Sequence, residues 1–155
     1  MLDIRPVAGA LGAEIHGLDL SRELSAESRK QVRELLNEYE VIFFRDQDIS
    51  PAMQKSLALS FGPLQTHPAY DTVEGFPELT ILESTPEKPT KIEAWHSDMT
   101  FRQHPPMGTV LRSVIVPPKG GDTLWASMTA AYRGLSPPMQ EFLQGLTAVH
   151  DFAHG

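Results

Sequence analysis

Cysteine is absent from the 155 residues, which removes disulfides, thiolate nucleophiles, iron–sulfur clusters and cysteine-ligated zinc at once. Any metal must therefore be held by the 6 histidines or the 20 aspartates and glutamates. Basic charge is scarce too: 13 lysines and arginines leave a net charge of −7, and they form no cluster of the kind that displaces counterions from nucleic-acid phosphates. No nucleic-acid partner is expected. Long apolar runs are also missing, since no stretch approaches the ~20 residues that span a bilayer. The opening MLDIRPVAGALGAEIHG has neither the basic nor the apolar segment of a secretory leader. These features predict no membrane partner and a cytoplasmic location. Low-complexity segments and internal repeats are not found either. What remains is an ordinary globular composition, 41% hydrophobic and 21% charged, and a length suited to one domain over residues 1–155 with a real core.

Residues 2–18 mix β-branched side chains with Gly9, Gly12 and Gly17 and read as two short strands around a tight turn. Ser25 is placed to cap a helix in which Val32, Leu35, Leu36 and Tyr39 recur at helical spacing. The apolar run Val41-Ile42-Phe43-Phe44 reads as a buried strand. Ser50-Pro51 opens a second helix, carrying Met53, Leu57 and Phe61 and closed by Gly62-Pro63. Residues 65–75 lack a period and read as a loop, with strands predicted at 79–82, 107–116 and 123–126 and short helices after Ser127 and Ser136. Helices early and strands late suit an α+β fold or a β-sandwich with helical decoration.

One stretch carries chemistry. In EAWHSDMTF (93–101), His96 and Asp98 stand two positions apart, so in a strand both side chains project from one face while Ser97 points away. An imidazole beside a monodentate carboxylate is two thirds of a 2-His-1-carboxylate metal site, which leaves positions open on Fe(II). The bland alternative is a surface strand with two polar residues. Trp95 in front and Met99-Thr100-Phe101 behind are expected to bury the flanks, where an unpartnered His–carboxylate pair would be costly.

WHSDMTF, together with VIFFRDQ (41–47), FGPLQTHPAY (61–70), GGDTLWAS (120–127), AAYRGLS (130–136) and HDF (150–152), resembles the amino-terminal half of the taurine/2,4-dichlorophenoxyacetate dioxygenase family. The resemblance runs nearly end to end, with the motifs in the family's order. It implies a mainly β fold with α: a double-stranded β-helix (jelly-roll) core with flanking helices, incomplete in this chain. It also implies an oxygenase that uses Fe(II), 2-oxoglutarate and O2 on a small-molecule substrate. His96 and Asp98 would be iron ligands. Thr123 would bind a 2-oxoglutarate carboxylate, although Gly120 to Thr123 taken alone reads as a hairpin turn. His67 and Tyr70 would line the substrate pocket, with an exposed loop histidine as the plain alternative for His67. Trp95 and Trp125 read as packing residues.

Two departures from the family pattern qualify this. Ile92 stands where taurine dioxygenases carry a substrate-contacting asparagine, and Met99 adds a second apolar wall, so a sulfonate larger than taurine, an alkyl sulfate or an aryloxyalkanoate is expected. The family's distal iron-binding histidine and 2-oxoglutarate-binding arginine lie far beyond the His96–Asp98 pair, and neither occurs before Gly155. His150 and His154 are the candidate substitutes in this chain; His150 falls in HDF, which is not a ligand segment in the family, and no arginine follows His154. The expectation is a partial taurine-dioxygenase-like domain, with a homo-oligomer covering exposed edges. The rivals from other classes are an inactive metal-binding fragment or pseudoenzyme, and a cupin-type binder, for which only His104 is at hand.

Overall fold

A computed structural model describes residues 2–67, 69–90, 92 and 94–151. In chain order its elements are β1 (Asp3–Pro6), β2 (Ala13–His16), α1 (Ala26–Tyr39), β3 (Ile42–Phe43), α2 (Pro51–Leu59), β4 (Thr72–Val73), β5 (Phe76–Thr80), α3 (Met128–Arg133) and α4 (Pro137–Leu143). They fall into two compact units, Met1–Asp48 with Leu111–Ala148, and Ile49–Val110 with Val149–Gly155.

The first unit is built on a three-stranded sheet ordered β1-β2-β3. β1 and β2 pair antiparallel with Asp3 opposite His16, and β3 runs parallel to β2 with Ala13 opposite Ile42. Because β2 is central, its alternate residues Ala13 and Ile15 are buried, and with Leu35 of α1 they form a core joined by Leu18, Tyr39, Ile42 and Phe44. The run at 41–44, expected to be a buried strand, is an edge. Only two of its residues pair, and all four are half-buried, since an outer strand is covered on one side alone. The turn into β2 depends on Gly12, which sits at φ +92° with Val7 so close that an added Cβ would fall 2.7 Å from it. The Gly12 amide donates to the Tyr39 carbonyl at 2.8 Å, tying this turn to the end of α1. Ser25 caps α1 as expected, accepting from the Ser28 amide. Ser127 caps α3, accepting from the Ala130 amide while donating its own hydroxyl proton to Glu40 at 2.9 Å.

The second unit sets α2 beside the antiparallel hairpin β4–β5. Ser50 accepts from the Met53 amide at the start of α2, whose first residue is Pro51, and Gly75 at φ +76° makes the hairpin turn. Lys55 on α2 and Glu78 on β5 join across a 2.7 Å ion pair. The Lys55 hydrogen bond holds the Glu78 carboxyl below its ordinary pKa. Residues 99–110 are pinned to this frame. Gln54 donates to the Val110 carbonyl, Gln65 to the His104 carbonyl and Arg102 to the Thr66 carbonyl.

The architecture is mixed helix and strand with two small sheets, and a complete double-stranded β-helix is not formed by the described residues. The strand expected at 79–82 lies at Phe76–Thr80 instead. Those expected at 107–116 and 123–126 are irregular, with Leu111, Val114, Leu124 and especially Ile115 (88% exposed) facing outward. Alternation prepares a segment for a sheet, but a strand exists only where a neighbour accepts its backbone hydrogen bonds, and among the described residues none pairs with these. No helix is long and apolar enough to cross a membrane among the described residues.

Candidate metal-binding turn

His96 and Asp98 do not lie on a strand. The chain from Ala94 is irregular and enters a turn at Asp98–Phe101 in which Met99 takes φ +56° and the Arg102 amide closes onto the Met99 carbonyl at 3.0 Å. A non-glycine residue in that left-handed region stores about 1 kcal/mol or more, so the turn must be held by its surroundings. The flanks are not buried either: Trp95 is 68% exposed and Met99 half-buried. It is therefore this irregular stretch and turn, and not a strand, that bring the pair together.

The geometry of the pair is specific. His96 Nδ1 lies 2.9 Å from the Ala94 carbonyl oxygen, and since a carbonyl can only accept, Nδ1 carries the proton. In the neutral ring Nε2 is then the lone-pair atom, and it faces Asp98 Oδ1 at 3.2 Å. Two acceptors at that distance need a proton or a cation between them. Two donors each about 2.1 Å from one ion at right angles would stand about 3.0 Å apart, close to the observed gap. A backbone carbonyl holding the far ring nitrogen is the usual way a ligating histidine is oriented. The side chains are 53% and 60% exposed, so the pair is reachable from solvent. Asp98 Oδ2 receives the Thr109 hydroxyl at a long 3.5 Å.

A second pair lies in the same unit. His67 and Tyr70 stack at 4.6 Å between ring centroids, tilted by 48°. His67 Nδ1 accepts from the Ala69 amide at 3.2 Å, which assigns the proton of the neutral ring to Nε2. Ile92 is exposed. Thr123 belongs to the other unit, in an irregular exposed stretch that follows two left-handed glycines, Gly120 and Gly121; the hairpin suggested by its neighbours does not form. Trp125 packs edge-on against Phe43 at 5.4 Å, as a packing residue should.

Among the described residues, no group of three or more His, Asp or Glu could hold a metal ion. His150 is hydrogen-bonded to the Thr100 hydroxyl at 2.9 Å, and His154 lies outside the described residues. Sequence reasoning missed the Ala94 carbonyl, Thr109 and the Thr100–His150 link. Nothing local in the sequence marks them, because each depends on how separate segments meet.

The chain belongs to the taurine catabolism dioxygenase TauD, TfdA family, whose model matches residues 3–155. It is 39% identical over 150 residues to an alpha-ketoglutarate-dependent sulfate ester dioxygenase of Pseudomonas putida, covering 96% of this chain and 49% of that protein. It is 35% identical over 150 residues to an alkylsulfatase of Acinetobacter baylyi, covering 96% of this chain and 47% of that one. A crystal structure of a taurine dioxygenase from Burkholderia xenovorans superposes with a TM-score of 0.84 at 36% identity, over 97% of this chain and 54% of that one. The chain thus spans about half the length of the relatives it matches.

Proposed function

We propose that this protein is an Fe(II)- and 2-oxoglutarate-dependent dioxygenase that oxidises a small anionic organic substrate bearing a sulfonate, in which His96 and Asp98 supply two of the metal's ligands. The observation that carries the reading is His96 Nε2 set against Asp98 Oδ1 at 3.2 Å, with Nδ1 engaged by a carbonyl. Family membership supports the cosubstrate, since the Pseudomonas relative is an alpha-ketoglutarate-dependent enzyme and alpha-ketoglutarate is the same molecule as 2-oxoglutarate.

When bound, Fe(II) with 2-oxoglutarate and O2 supplies the oxidising chemistry, which balances as substrate C–H plus 2-oxoglutarate plus O2 giving substrate C–OH, succinate and carbon dioxide. The protein's own residues bind and orient. Thr123 would donate its hydroxyl to a 2-oxoglutarate carboxylate. His67 and Tyr70, packed ring against ring at 4.6 Å, would line the pocket for the substrate's anionic group. Ile92 and Met99 would form an apolar wall against the substrate's carbon skeleton. Hydroxylation at the carbon bearing a sulfonate yields an adduct that collapses to an aldehyde and sulfite, which fits a role in sulfur acquisition. An alkyl sulfate is the second reading, favoured by Ile92 and by the sulfate-ester relative.

The test is anaerobic addition of Fe(II) and 2-oxoglutarate to the full-length protein. A visible charge-transfer band that His96→Ala abolishes is the expected result, and its absence in the wild type would overturn the proposal.

A further inference from the structure

We propose that His150 is a positioning residue for the metal-binding turn, holding the Thr100 hydroxyl and so fixing the backbone that presents Asp98. The Nδ1–Oγ1 distance is 2.9 Å across 50 positions of sequence. Thr100 sits in the turn Asp98–Phe101, whose left-handed Met99 would relax toward commoner backbone if left unrestrained. One anchor is already present on the far side of that turn, where the Arg102 guanidinium donates to the Thr66 carbonyl at 3.1 Å. The Thr100–His150 bond is the second. With both in place the turn is gripped on two sides, and the Asp98 carboxylate keeps its 3.2 Å separation from His96 Nε2. Either imidazole tautomer suffices, because a hydroxyl both donates and accepts. His150 therefore acts through Thr100 rather than as a ligand. Residues that orient a ligand from outside the coordination sphere set metal affinity as well as geometry.

The inference rests on His96 and Asp98 holding a divalent ion, and Mn(II) binding to the full-length protein with 2-oxoglutarate, followed by electron paramagnetic resonance, separates the two claims. Thr100→Val, which keeps shape and removes the hydroxyl, and His150→Leu should each weaken Mn(II) binding about fivefold, the worth of one hydrogen bond. The double variant should be no weaker than either single, since both remove the same bond. His150→Asn, whose amide replaces Nδ1, should restore most of the affinity. The ratio of succinate formed to substrate hydroxylated should rise in the two weakened variants, a readout that a purely structural contact would not move. Unchanged affinity and ratio in Thr100→Val, or strict additivity in the double variant, would overturn the role of His150 while leaving the metal site standing. Equal Mn(II) binding by the wild type and His96→Ala would overturn both.

Discussion

Replacing Gly12 by alanine should be among the most damaging single changes in the β1–β2–α1 unit, and its cost divides into two separable parts. The first is conformational: at φ +92° a residue with a Cβ is destabilised by about 1–2 kcal/mol relative to glycine. The second is steric, because the new Cβ would lie 2.7 Å from a Val7 methyl carbon, an overlap in the range of about 1–3 kcal/mol for overpacked sites. The backbone has little freedom to move away. The Gly12 amide donates to Tyr39 and its carbonyl accepts from the Val7 amide at 3.0 Å. Together these place Gly12→Ala at about 2–5 kcal/mol. Val7 is 51% exposed, so Val7→Ala alone should change stability by no more than about 0.5 kcal/mol. In the double variant the overlap disappears and only the conformational part remains, recovering about 1–3 kcal/mol. Urea unfolding of the four proteins, followed by circular dichroism, measures each term. A Gly12→Ala midpoint indistinguishable from wild type would refute the conformational argument, and no recovery in the double variant would refute the steric one.

Three further outcomes are expected. Glu78 has its pKa lowered, first by the Lys55 hydrogen bond. Its contribution is therefore fully present above the unfolded value of about 4.3 and is lost as pH falls through the lower folded value; Lys55→Met should flatten the acid limb of a stability–pH curve in that window, and an unaltered curve would count against the pairing. Ser127→Ala removes the α3 cap and the partner of Glu40 from a buried position, and should cost about 1–2 kcal/mol in thermal or urea unfolding. Ile92→Asn should shift kcat/KM toward taurine over a long alkyl sulfonate by about tenfold in a succinate-release assay, and a wild-type preference for taurine would sink the reading of Ile92.

How much was legible in advance differs by element. Ser25, Ser50 and Ser127 were recognisable as caps because a cap and the amide it accepts from lie three residues apart, within reach of sequence alone. The two opening strands were legible for a similar reason, the turn and its glycines being local. The segment 107–116 alternates as well as many strands do, yet it is irregular, because alternation says nothing about whether a partner is at hand. His96 and Asp98 were found by residue type and spacing, but through a strand that does not exist.

The sequence by itself determined the family, the local caps and the pair of ligand-type side chains, since each is encoded in residue identity over short separations. Only the tertiary structure decided which nitrogen of His96 faces Asp98, because that depends on where the Ala94 carbonyl points. It alone placed the pair on a turn rather than a strand, and joined Lys55 to Glu78 and His150 to Thr100 across 23 and 50 positions. Such contacts form only when chain closure brings distant segments within hydrogen-bonding distance, and no local pattern records that closure.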